Sequence, residues 1–150
     1  MKRPILLATM FVLAACSTGP AQAGTAYFLR SIDGRNLPTA NGLPTGFELV
    51  FETLAFPTDW RPRTGDPASG LARITTIVRG PDQRTERSAT DHNFTVTGDQ
   101  IRINLCPSLA LCIVSTELVG TLSGSNDLVL THVLGGQKRS VYHFYLPGFD

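Results

Sequence analysis

The sequence predicts an all-β protein: one small antiparallel up-and-down β-barrel of about eight strands. Three observations point there. Runs of four to nine residues rich in Val, Ile, Thr, Phe and Tyr recur along the chain, each closed by Gly, Asp, Asn or Pro. No stretch holds a helical period. The 14 Gly and 10 Pro among 150 residues are scattered rather than clustered, as turns between short strands require.

Taken in order, Ala26 to Ile32 reads as a strand ended by Asp33-Gly34, a pair that supplies positive φ at little cost. Phe47 to Thr53 alternates, which predicts Phe47, Leu49 and Phe51 on the buried face and Glu48 and Glu52 on the solvent face. Ala72 to Arg79 repeats the pattern, with Ile77 out of phase and suggestive of a bulge. Residues 84–92 are polar throughout and fit either a solvent-facing edge strand or a loop. Phe94 to Thr97, Gly98-Asp99 and Ile101 to Leu105 form a hairpin, and residues 120–131 repeat it more loosely. A glycine turn at Gly135-Gly136 leads to a last strand, Ser140 to Leu146. Sequential turns favour a meander, and closing eight strands removes its two exposed edges. The inward set expected from alternation is Phe28, Phe47, Leu49, Phe51, Ile74, Val78, Phe94, Val96, Ile101, Ile103, Leu105 and Leu122. Only Thr53 and Thr76 add polarity, so the interior is predicted to be mostly packed.

The N-terminus predicts location. Lys2 and Arg3 precede an apolar run from Ile5 to Ala15, too short to span a bilayer, and Leu13-Ala14-Ala15-Cys16 resembles a bacterial lipobox. That resemblance implies cleavage before Cys16 and acyl chains such as palmitate on the cysteine, an anchor of several chains that holds a protein on the membrane. A small-residue cleavage site at Ala21-Gln22-Ala23 is the alternative. Ser17 is not the aspartate that retains lipoproteins at the inner membrane, so an outer-membrane anchor is expected. The chain divides into a signal peptide (1–15), a lipidated N-terminus and flexible tether (16–25) and the barrel domain (26–150). Loss of residues 1–15 takes two of the thirteen basic residues and none of the twelve acidic ones, moving the formal charge from +1 to −1. No nucleic-acid partner is implied.

With Cys16 assigned to lipid, Cys106 and Cys112 remain as a pair in an oxidising compartment, and a disulfide is expected. Their parities along a regular ladder would point the thiols apart, so an irregular loop must intervene. The long Pro57 to Gly70 loop holds the only tryptophan, Trp60, with Arg61 and Arg63 beside it. Such loops often carry function. Here Trp60 is expected to cover a shallow pocket at the barrel mouth, with the arginines meeting an anionic head group; the bland alternative is a tryptophan packed on the rim.

Other chemistry is thin. No nucleophile elbow, phosphate-cradling loop, zinc-protease motif or Cys-x-x-Cys occurs, so no enzyme, cofactor or metal is expected. Asp91 and His92 are sequence neighbours and face opposite sides of any strand. His132 and His143 would face each other only across a turn centred on Gln137 and Lys138, and two imidazoles are half a zinc site. The stretches 27–38, 94–101 and 120–124 resemble small bacterial lipoproteins with a lipocalin-like barrel. That likeness implies the barrel architecture; the function expected of it is a lipid-anchored module holding a small apolar or amphipathic ligand. The alternative is a packed, ligand-free barrel acting as an envelope interaction scaffold or inhibitor.

Overall fold

The computed structural model describes residues 25–40, 42–57, 68–106, 112–123 and 126–148. Residues 1–24, which include the expected signal peptide and Cys16, lie outside them. Nine strands follow one another: β1 (Ala26–Ile32), β2 (Arg35–Asn36), β3 (Glu48–Ala55), β4 (Ala68–Arg79), β5 (Thr85–Thr97), β6 (Gln100–Asn104), β7 (Thr116–Thr121), β8 (Asp127–Leu134) and β9 (Gln137–Tyr145). Each of β3 to β8 pairs antiparallel with the next in sequence, and β1 pairs with both β3 and β9, so eight strands close into a barrel. The two-residue β2 hangs on β1 outside the ring. Among the described residues there is no helix.

Turn chemistry sets the ends. Asp33 and Gly34 both adopt positive φ (50° and 76°), as do Gly135 and Gly136 (57° and 78°), the geometry whose twist matches a two-residue hairpin. These turns share the upper end of the barrel with the turn after Arg79. The turn between β5 and β6 and the segment joining β3 to β4 lie at the lower end. Asp33 also locks the closing seam: its N–H donates to the Val141 carbonyl at 2.8 Å, and its carboxylate accepts from the Val141 N–H at 2.7 Å.

Leu54, Ala72, Ile101, Ile103, Leu130 and Phe144 are almost fully buried, and the core also holds Tyr27, Leu29, Ile32, Leu49, Phe56, Phe94, Val96, Leu118, Leu122 and Leu128. Phe56 makes edge-to-face contacts with Tyr27 and Phe94, their ring centroids 6.1 and 5.2 Å apart. Gly120 lies opposite Leu130 and Ile101 because nothing larger fits. A Cβ there would stand 2.6 Å from Leu130 Cδ2 and closer still to the Val129 carbonyl oxygen.

Residues 85–92 are strand and solvent-exposed except for His92, which resolves the choice between edge strand and loop. Much of the expected interior is inward, but Phe28, Phe51 and Thr53 are not. β1 turns Tyr27 and Leu29 inward, and Phe28 lies on the outer wall between Phe51 and Tyr145, 5.7 and 6.0 Å away. The irregularity expected at Ile77 exists, but its extra residue belongs to the neighbouring strand. Leu49 pairs with Val78 and Phe51 with Ile77, so Val50 is the inserted residue. Further register shifts occur in β1 between Leu29 and Ser31 and at the β8–β9 pairing between Thr131 and Val133.

Candidate functional site

The bulge at Val50 reverses the parity of β3. One extra residue exchanges the faces of everything beyond it, so Phe51 turns outward and Glu52 turns into the barrel. The alternation of Phe47 to Thr53 predicts the opposite for Glu52. The uninterrupted apolar triplet Leu49-Val50-Phe51 is the local sign that strict alternation fails there.

Inside, Glu52 lies opposite Thr76, whose hydroxyl donates to Oε2 at 3.3 Å. Burial disfavours the charged carboxylate and pushes the Glu52 carboxyl up to about 7, with the Thr76 hydrogen bond opposing part of the effect. Near neutral pH the group is therefore divided between acid and carboxylate, able to donate or to accept a hydrogen bond. Tyr142 is set on β9 opposite Ile32 and Leu130, both core residues. Burial first, then the charges of Glu52 and Asp33, push its phenol up to about 12. It stays a neutral hydroxyl at physiological pH. Its ring stacks on Phe144, with centroids 6.4 Å apart and planes 15° from parallel.

Above these groups the barrel opens. Val78 is the inward residue next above Thr76, and Val78, Phe47 and Glu86 line a half-open cleft of about 460 Å³ under the turn Gly80 to Arg84. At its edge Arg84 pairs with Asp82 at 3.5 Å, both well exposed. The opening continues down one side, because β5–β6 pairing stops at Phe94 opposite Ile103. Glu86, Ser88 and Thr90 consequently face inward yet remain in solvent. His92, the next inward residue, is buried, with Nδ1 3.2 Å from the Asn104 carbonyl oxygen. Because a carbonyl can only accept, Nδ1 carries the proton.

Asp91 faces away from His92, as alternation predicts, and makes two hydrogen bonds with Arg73 at 2.7 and 2.9 Å on the outer wall. His132 and His143 do not meet. The turn is centred on Gly135 and Gly136, so His143 pairs with Val129 on the exposed face, whereas His132 lies 3.0 Å from the Thr116 hydroxyl. Among the described residues no three His, Cys, Asp or Glu side chains gather closely enough to hold a metal ion. The Cys106 and Cys112 sulfurs lie at bonding distance, with their Cα atoms 6.0 Å apart. The ladder ends at Asn104, whose side chain accepts from the Cys106 N–H at 2.9 Å, so Cys106 belongs to the irregular segment its parity demands. Trp60, Arg61 and Arg63 lie outside the described residues. The segment that holds them leaves β3 and enters β4 at the lower end, where Phe56 and Phe94 close the barrel, opposite the cleft.

Sequence reasoning missed Glu52 and Tyr142. Comparison with protein-family models, curated proteins and solved structures found no match.

Proposed function

We propose that the chain is a lipid-anchored protein of the bacterial outer membrane whose barrel binds a small amphipathic molecule at its upper mouth. The anchor reading rests on the basic start, the apolar run and the lipobox-like Leu13 to Cys16. The binding reading rests on one observation: a half-open cleft under the turn Gly80 to Arg84 is lined by Phe47, Val78 and Glu86, and Thr76 and Glu52 are the inward residues next below Val78. Ligand pockets combine this kind of apolar lining with a few convergent polar groups. The ligand's apolar part would lie against Phe47 and Val78 and its polar group would reach the Glu52 carboxyl or the Tyr142 hydroxyl.

Calorimetric titration with dodecanol and with dodecanoate tests the binding reading. Tyr142→Phe keeps the ring and removes one hydrogen bond, so affinity should fall about 3- to 10-fold, the equivalent of about 1 kcal/mol. Trp60→Phe should leave it unchanged. Binding lost in Trp60→Phe and kept in Tyr142→Phe would move the site to the other end of the barrel, and no heat from either ligand would end the binding reading. Independently, Cys16→Ala should release the protein from the membrane fraction.

A further inference from the structure

Among the described residues, the upper half of β5 has one neighbouring strand. β4 pairs with it along its whole length, from Ala68 opposite Val96 to Arg79 opposite Thr85, but β6 covers only Phe94 to Thr97. Among the described residues nothing pairs with the second side of residues 85–93. The phase of that free edge follows from the hairpin. The Gly80 N–H donates to the Arg84 carbonyl at 2.8 Å, and antiparallel ladders alternate bonded and non-bonded pairs, so even-numbered residues of β5 bond to β4. Thr85, Arg87, Ala89 and Asp91 therefore direct their backbone N–H and C=O outward from the sheet edge.

We propose that this edge is the interface of a two-fold homodimer, in which the β5 strands of two copies pair antiparallel about Ala89. The side chains select that centre. With Ala89 opposite itself, Arg87 meets Asp91 of the second copy on the outer face, twice by symmetry, and Glu86 meets His92 on the inner face. Centring on Arg87 or on Asp91 sets like charges directly opposite. Centring on Ser88 places Arg87 against Ala89, and centring on Thr90 places it against Asn93. Opposite charges directly across a ladder stabilise it and like charges destabilise it. The centre at Ala89 also opposes odd-numbered residues to odd-numbered ones, so the unused backbone groups satisfy each other. Asp91, already held by Arg73 of its own β4, would gain Arg87 of the second copy on its other side. Charge on an exposed edge discourages pairing with arbitrary strands, and this pattern leaves a second copy of the same strand as the matching partner. The dimer does not depend on the ligand reading.

The test is cross-linking of the full chain in the cells that make it. Ala89 is exposed and lies on the axis, so Ala89→Cys places two thiols on facing residues about 5.5 Å apart at Cα, within disulfide range. Mild oxidation should give a band of twice the monomer mass on a non-reducing gel. Arg87→Glu added to Ala89→Cys should reduce that band several-fold, because it faces Asp91 with a like charge. Thr95→Cys, exposed on the same face of β5 but in the half paired with β6, should give none. Equal cross-linking from position 95, a band of another mass, or no band from Ala89→Cys would overturn the proposal. Should Ala89→Cys prove too poorly folded to read, the chain carrying Ala89→Pro alone supplies the second measurement: it removes the edge-facing N–H while the N–H groups of Ser88 and Thr90 remain for β4, and must lower the dimer fraction by light scattering relative to the unaltered chain if the proposal holds.

Discussion

The two halves of this barrel are built from the same strands and differ in what those strands turn inward. Below the middle, Phe56, Phe94, Val96, Ile101, Leu122, Leu128 and Phe144 interlock, and Gly120 is present because a Cβ has no room. Above it, Ile32 and Leu49 are still buried, but Glu52, Thr76, Ser88, Thr90 and Tyr142 stand inward among them, and among the described residues the wall is open where β6 stops short of β5. The contrast separates two tasks. Burial of apolar area stabilises the fold at about 25 cal/mol per Å² and is concentrated below. The upper half holds a carboxyl whose burial costs stability, and a strand edge with which no described residue pairs, features that packing alone does not require.

Removing packing from the lower half should have the largest effect. Phe144→Ala empties the space of a ring that is 1% exposed, and should destabilise by about 3–5 kcal/mol in chemical denaturation. A loss below about 1 kcal/mol would mean that the lower half is loosely filled.

Glu52→Gln tests the upper half and should have the opposite sign. In the unfolded chain the carboxyl loses its proton near its ordinary value of 4.5, whereas in the fold it holds it until about 7. Between those values the native state binds the extra proton, so stability falls as pH rises through that window and is level above it. Glu52→Gln should flatten that slope and raise stability at pH 8 by up to about 3 kcal/mol, at 1.36 kcal/mol per pH unit. An unchanged slope would show that Glu52 is not the group responsible.

Gly120→Ala should cost about 1–3 kcal/mol, because the new methyl meets the Val129 carbonyl and Leu130 with no space to move into. Gly136→Ala, where nothing lies within 4 Å but φ is +78°, separates backbone strain from crowding and should cost less, about 1 kcal/mol. Smallest of all, Arg73→Ala should leave the melting temperature unchanged, since the Arg73–Asp91 pair is in solvent on both sides. A clear drop would assign the outer wall a share of stability that the contrast between the halves denies it.

Part of this molecule was legible before any tertiary structure. The strands, their turns and the closed barrel follow from local signals: runs of β-branched and aromatic residues, Asp33-Gly34 and Gly135-Gly136 at positions needing positive φ, and too many strands for an open edge. The pairing of Cys106 with Cys112 was expected from the cysteine count, and even the irregular segment around Cys106 was implied by parity. The site was not legible, for a specific physical reason. In a strand the face a side chain takes is a parity count, and one inserted residue reverses every position beyond it. The apolar triplet Leu49-Val50-Phe51 hints that alternation fails, but only the register against Val78 and Ile77 shows Val50 to be the extra residue that turns Glu52 inward and Phe51 outward. The same holds for the free edge of β5. A polar stretch such as residues 85–92 fits an edge strand or a loop equally well; pairing with β4 makes it a strand, and the point where β6 ends makes it an edge. Local chemistry by itself determined the strands and their order of pairing; cross-strand register decided which of their residues the barrel encloses.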